Sequence, residues 1–310
     1  HSISPFDRTA WLEFEGVVTK LNWRNPHFGM TVSVTKDDGS IEEWEIVADA
    51  INSLMRRGLT RENFAVGETI RLGGWPSSQG RLEMLSTNAL FANGQEYIMR
   101  DTDTPLVWTS PEGDIAKPTD PDVASDLFRV WSYKAIYVRK NPFKLTEKSA
   151  QAVAQYDPFV DMPSLRCIPP SMPNAILSPY PFEFSEEGDD IRLSIEEWGS
   201  ERLIDMTSSQ IPQDAPRSRL GYSIGRFENG SLHVHTERLI NGLLDDDGSL
   251  MSQDATLDEV FTIAQDGITL NYKVTVTDPE YLVEPATWIA AWQWNPDTIM
   301  RPYECEFDAQ

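Results

Sequence analysis

Apolar and polar positions alternate along the first hundred residues. Leu12 and Phe14 fall on one side of the chain, and Trp11, Glu13 and Glu15 on the other. Val17, Val18 and Leu21 continue the pattern past Gly16. Such a period of two marks a half-buried strand. Further strands are predicted at 29–35 and 41–47, around an Asp37-Asp38-Gly39 turn, because Asp-Gly is a strong hairpin signal. A short helix is predicted over 50–57 and ends at Gly58, with Thr60 placed to cap another turn. Strands at 69–75 and 82–91 complete the set. Five or six short strands with one helix suggest a small closed barrel of OB type.

The next stretch, 101–125, holds Pro105, Pro111, Pro118 and Pro121 among Asp, Thr and Ser, and reads as a linker or a strap across the surface. A second domain opens near Asp126 and runs to the end of the chain. It has a predicted strand at 128–137 and a helix at 146–156. Thr146 is the expected N-cap, and Ala150, Val153 and Ala154 the expected inner face. Residues 161–181 are proline-rich and irregular. Strands are then predicted at 182–184, 191–198, 202–206, 222–228, 231–237, 256–264, 269–277 and 286–295. Turns such as Glu228-Asn229-Gly230 and Gln265-Asp266-Gly267 separate them. Regular short strands with tight turns predict a mainly β chain. The expected domains are an OB-like barrel over 1–100, the strap over 101–125, and an antiparallel barrel or sandwich, a lipocalin-like meander, over 126–310.

Charge narrows the function. The 49 acidic and 26 basic side chains leave a formal charge of −23. Nucleic-acid affinity comes mainly from displacing counterions with Lys and Arg, so nucleic acid is not an expected partner. No apolar run approaches the roughly 20 residues that span a bilayer. The chain opens on His1, which reads either as an arbitrary boundary or, on the resemblance described below, as the residue left by signal-peptide cleavage. Two cysteines, Cys167 and Cys305, form no CxxC pair. In an exported chain they suggest one disulfide, with two buried thiols as the alternative. A loop that long stabilises by roughly 4–5 kcal/mol in the chain-entropy model.

The N-terminal hundred residues resemble a family of exported bacterial proteins. Its members begin His-Ser or His-His-Ser, then Phe-Asp, and carry a Gly-x-Val strand and a Trp-x-Asn-Pro-His motif. The matching residues are His1-Ser2, Phe6-Asp7, Gly16-Val17-Val18 and Trp23-Arg24-Asn25-Pro26-His27. Trp44, Arg57-Gly58-Leu59-Thr60 and Val66-Gly67-Glu68 follow. The second half is similar to a companion domain of such proteins through Arg166-Cys167-Ile168-Pro169-Pro170, Pro179-Tyr180-Pro181, Gly221-Tyr222-Ser223-Ile224-Gly225-Arg226, Asp278-Pro279-Glu280-Tyr281 and Tyr303-Glu304-Cys305-Glu306. The resemblance implies export to the periplasm or medium, two β domains and the Cys167–Cys305 pair. It supplies no reaction. The chain departs from the pattern at Tyr222, where histidine is expected, and at His233-Val234-His235-Thr236, where aliphatic residues and Asp are expected before Thr.

The candidate chemistry is a metal site. His233 and His235 stand i and i+2 in a predicted strand, so both rings leave the same face. His1 offers an α-amine and a ring nitrogen to one ion. An N-terminal histidine with a His-x-His pair resembles the copper site in the soluble domain of particulate methane monooxygenase. It also resembles the histidine brace of copper polysaccharide monooxygenases. Such nitrogens suit Cu(II), with zinc as the alternative. His27 is a further ligand or a supporting group. Read by itself, a lone His-x-His in a strand is more often no site. The remaining alternatives are a metal-free ligand binder using the second barrel's interior, and a structural or accessory subunit of an envelope complex. Other candidates are weaker. Trp11, Trp23, Trp44 and Trp75 suit a sugar platform, but in strands they read as core. Asp245-Asp246-Asp247-Gly248 lacks EF-hand spacing and reads as a solvated turn. Glu196-Glu197, Arg202 and Asp205 suit a barrel mouth, or read more safely as salt-bridged surface.

Overall fold

The computed structural model describes residues 5–26, 28–100, 104–109, 126–139, 143–158 and 160–306, with backbone alone over 133–139. These fall in two compact units. One comprises 5–109 with 304–306, and the other 126–303.

The first unit holds β1 (Leu12–Asn22), β2 (Gly29–Thr35), β3 (Ile41–Val47), α1 (Ile51–Arg56), β4 (Thr69–Pro76), β5 (Glu83–Phe91) and β6 (Glu96–Ile98). The sheet order β3-β2-β1-β4-β5-β6 closes on itself through parallel pairing of β3 with β5. The five-stranded barrel, with its helix between β3 and β4, has the OB arrangement. Val18, Met30, Val32, Ile46, Leu72 and Met84 fill it. At Gly74, where β5 is bulged, a Cβ would lie 2.2 Å from the Leu85 carbonyl oxygen, so only glycine fits. The end of the chain returns to this unit: Cys305 forms a parallel bridge with Asn25.

Of the stretch 101–125, the described residues 107–109 are anchored on the first unit. The buried Glu96 carboxylate accepts hydrogen bonds from the backbone N–H groups of Val107 (2.7 Å), Trp108 (2.9 Å) and Thr109 (2.8 Å). The Thr109 hydroxyl (3.0 Å) and Asn88 Nδ2 (2.8 Å) also donate to it.

The second unit holds β7 (Val130–Arg139), α2 (Glu147–Gln155), α3 (Asn174–Leu177), β8 (Phe182–Glu187), β9 (Asp190–Ile195), β10 (Ser200–Asp205), β11 (Tyr222–Glu228), β12 (Ser231–Glu237), β13 (Gly242–Leu243), β14 (Leu250–Met251), β15 (Thr256–Ile263), β16 (Thr269–Thr277) and β17 (Ala286–Trp294). Nine of these close a barrel in the order β10-β11-β12-β15-β16-β17-β7-β8-β9. It is a meander with one exception: β10 and β11 run parallel. An odd number of alternating strands leaves one such seam.

The strand expected over 191–198 breaks at Glu196. Trp198 takes a left-handed conformation (φ 62°), and the chain turns before β10. In α2 the buried residue is Ser149, while Ala150 and Ala154 are exposed, so the helix is rotated from its expected face. The Ser149 hydroxyl accepts the Leu250 N–H (3.4 Å). Thr146 flanks the helix but makes no side-chain cap; its hydroxyl donates to the Glu280 carbonyl (3.1 Å).

Candidate functional site

Alternation along the barrel strands decides what points inward. Trp131, Phe182, Phe184, Phe261, Tyr272, Trp288 and Trp292 are fully buried, and Phe182–Trp292 and Phe261–Tyr272 rings stand 4.9 and 4.7 Å apart. The interior is therefore a packed core. Among the described side chains the charged residues Arg202 and Glu259 share it. β10 turns Ser200, Arg202 and Ile204 inward, and β15 turns Leu257, Glu259 and Phe261 inward. The Arg202 guanidinium grips the Glu259 carboxylate with both Nη atoms, Nη1 at 3.0 Å. Its Nε donates to Ser223 Oγ (2.8 Å), and Nη2 also donates to Thr236 Oγ1. Tyr272 OH donates to Glu259 (2.8 Å). Buried charges survive when paired and fully hydrogen-bonded, and these are.

Beside this network the barrel wall opens. β9 pairs with β10 over Ser200–Ile204, but β11 pairs with β10 only at Ile204↔Ser223 and Asp205↔Ile224. The N-terminal half of β10 and the segment 218–222 diverge there, and a cleft of about 360 Å³ lies between them. Leu203, Leu220 and Tyr222 give it apolar surface, with Asp190, Asp205 and Arg219 around them.

Local hydrogen bonds set the charges. Asp205 accepts from the Ser208 and Thr207 N–H groups (2.8 and 2.9 Å) and from Tyr222 OH (2.8 Å). Bonding from Ser208, with the others, holds its carboxyl well below the usual range. The same bond with Asp205 pushes the Tyr222 phenol up. Arg219 donates to the Pro170 carbonyl (3.1 Å) and to Ser200 Oγ (2.7 Å). Burial lowers its pKa and nearby Glu197 opposes the fall. Burial pushes the Glu197 carboxyl up to about 7, against a Ser178 hydrogen bond and Arg219.

The sequence-predicted residues distribute as follows. His233 and His235 lie on the outer face of β12, both half-exposed, as their spacing requires. His235 Nδ1 sits 2.8 Å from Asp258 and Nε2 3.2 Å from Glu237. His1 and His27 lie outside the described residues. Among the described residues no three His, Cys, Asp or Glu side chains converge as a metal site. Cys167 and Cys305 are disulfide-bonded. Cys167 closes the turn Pro163–Arg166 in a left-handed conformation, while Cys305 lies beyond β17, not on the barrel's last strand.

Several expectations about weaker candidates change. Arg202 and Asp205 do line a barrel opening, and Glu196, Glu197 and Arg202 are buried rather than salt-bridged surface. Asp245 is buried and accepts from Asp247 N, Ser249 N and Ser249 Oγ, so the acidic turn is an internally bonded loop. Trp23 and Trp44 pack on the first core, whereas Trp11 is 47% exposed and Trp75 lies beneath Arg8. Glu259, Tyr272 and Arg219 were not singled out by sequence, and Tyr222 stood out only as a departure from the family pattern. Glu259 carried a signal: it occupies an inward phase between Leu257 and Phe261.

Residues 1–86 match the model of a family of unknown function, DUF6152. The described part of the match, 5–86, falls within the first unit, and the match leaves the nine-stranded barrel outside it. No curated protein matches the chain.

Proposed function

We propose that the chain is an exported binding protein whose ligand sits in the seam cleft of the nine-stranded barrel. The observation that carries this is the cleft itself. It lies where the wall pairs over only two residues, in a barrel whose interior is otherwise filled. Its size is at the small end of ligand sites, about 300–1,000 Å³, and its lining sets Leu203, Leu220 and Tyr222 among a larger number of charged and hydroxyl side chains. The disulfide suits an oxidising compartment and so supports a periplasmic or secreted location. The outer face of β3 presents Glu43 and Glu45, and with the charge of −23 this supports a partner other than nucleic acid.

The test is fragment binding followed by amide chemical shifts. Shifts are expected in Glu201–Asp205 and Ser218–Ser223. Leu203 is 51% exposed at the cleft, so Leu203→Trp blocks it without entering the core. Shifts that persist in this variant place the ligand elsewhere.

A second reading is copper binding through His1, His233 and His235, with His27 in support and zinc as the alternative metal. What favours it is the common outer face of His233 and His235. Copper titration of the chain beginning at His1, followed by electron paramagnetic resonance, tests it. One added N-terminal residue displaces the amine and should abolish the signal.

A further inference from the structure

We infer that the seam cleft takes an extended peptide, which adds as a short strand along the free side of β10. This rests on the reading of the cleft as the ligand site and names the ligand class. Over Ser200–Leu203, β10 is laddered to β9 on one side, and among the described residues no strand pairs with it on the other. The segment opposite is committed elsewhere. Ser218 N–H donates to Arg238 O (3.0 Å), Met172 N–H to Arg219 O (3.0 Å), and Gly221 N–H to Ser218 O (3.2 Å). The barrel thus carries an edge about four residues long, roughly 13 Å at 3.3 Å per residue.

A strand edge presents N–H and C=O groups in alternation, and another extended main chain matches that spacing. A rigid small molecule satisfies one or two such groups. The flanking side chains add a preference. Arg192 holds Glu201, and Met206 N–H and Tyr222 OH are bonded to Asp190 and Asp205. Among the described residues Arg219 donates its hydrogen bonds to neutral groups, Pro170 O and Ser200 Oγ, and forms no ion pair, although the raised Glu197 carboxyl lies nearby. The bound peptide therefore carries a carboxylate near Arg219, either its own C-terminus or an acidic side chain.

The probe is the tetrapeptide Val-Thr-Val-Thr at millimolar concentration, in free-acid, C-terminally amidated and backbone N-methylated forms, with the full chain. The free acid is expected to slow hydrogen exchange at seam-facing amides of Ser200–Leu203 by about tenfold and to shift Gly221 and Tyr222. The N-methylated form should do neither, because it cannot donate to the edge. Amidation should weaken binding several-fold, and addition of an acidic residue should restore it if the side chain is the source. Arg219→Lys should keep the site while reducing the acid preference. Equal effects from the N-methylated form, or cleft shifts with non-peptide fragments and none with the tetrapeptide, overturn the peptide inference alone. Absence of shifts with either kind of ligand overturns the cleft as a site.

Discussion

Arg202 and Glu259 form a two-pronged ion pair inside the nine-stranded barrel, with side-chain exposures of 1% and 0%. They stand on β10 and β15, and Ser223, Thr236 and Tyr272 complete their hydrogen bonds. Removing one partner strands a buried charge. Arg202→Met is expected to destabilise the barrel by about 3–5 kcal/mol. The double variant Arg202→Met/Glu259→Leu removes both charges and should recover much of that loss. Urea denaturation of the four species in a double-mutant cycle measures it. Additive losses would mean that the two residues act independently.

Glu96 carries the equivalent burden for the strap. Burial pushes its carboxyl up, but the N–H groups of Val107, Trp108 and Thr109 and the Asn88 amide outweigh that, and its pKa lies below the ordinary 4.5. A depressed carboxyl contributes stability above its unfolded pKa, and that contribution is lost as pH falls through the folded value. Exchange protection at Val107–Thr109 should therefore hold above pH about 4.5 and fade in stronger acid. Glu96→Gln should remove about 2 kcal/mol of it at neutral pH, since charge-assisted hydrogen bonds are lost. Protection unchanged in acid contradicts the assignment.

The elements legible in the sequence were those built from local periodicity. Leu12, Phe14 and Val18 alternate into the first core, Asp38-Gly39 turns the β2–β3 hairpin, and His233 and His235 share a face. The seam was not legible, because a two-residue parallel pairing between β10 and β11 depends on closure of the whole barrel. Trp198 hid the turn before β10: an aromatic residue between Ile195 and Leu203 reads as strand, and its positive φ is visible only in three dimensions. Arg202 and Glu259 lie 57 residues apart, so neither announces its partner. Each nevertheless sits on the apolar phase of its strand, and that displaced charge is a usable signal.

Glu197 should make the barrel more stable in mild acid than at neutral pH. Its carboxyl is raised from 4.5 to about 7 by burial. A raised pKa contributes stability that is fully present below about pH 4.5 and is lost as pH rises through 7. The loss is on the order of 3 kcal/mol at 1.36 kcal/mol per unit. Exchange rates of the β16 amides between pH 5 and 8 follow it, after correction for intrinsic rates. Glu197→Gln should flatten the dependence. A dependence of the same size in that variant assigns it to another group.

His235 should titrate above 6.5. Burial alone lowers an imidazole's pKa, but hydrogen bonds to Asp258 and Glu237 outweigh it and favour the charged ring. The stability gained is present below pH 6.5 and lost as pH rises through the folded value. Ring proton shifts followed by NMR give that value directly, and Asp258→Asn and Glu237→Gln should each lower it. The same two carboxylates bear on copper. A protonated ring is no ligand, and both nitrogens of His235 are engaged, so copper must compete with a proton and two hydrogen bonds. If the outer face of β12 holds copper, affinity should rise with pH, and Asp258→Asn should tighten it near pH 6. A ring titrating below 6.5 in the unaltered chain would show that Asp258 and Glu237 do not hold the proton, and affinity there would then be independent of both.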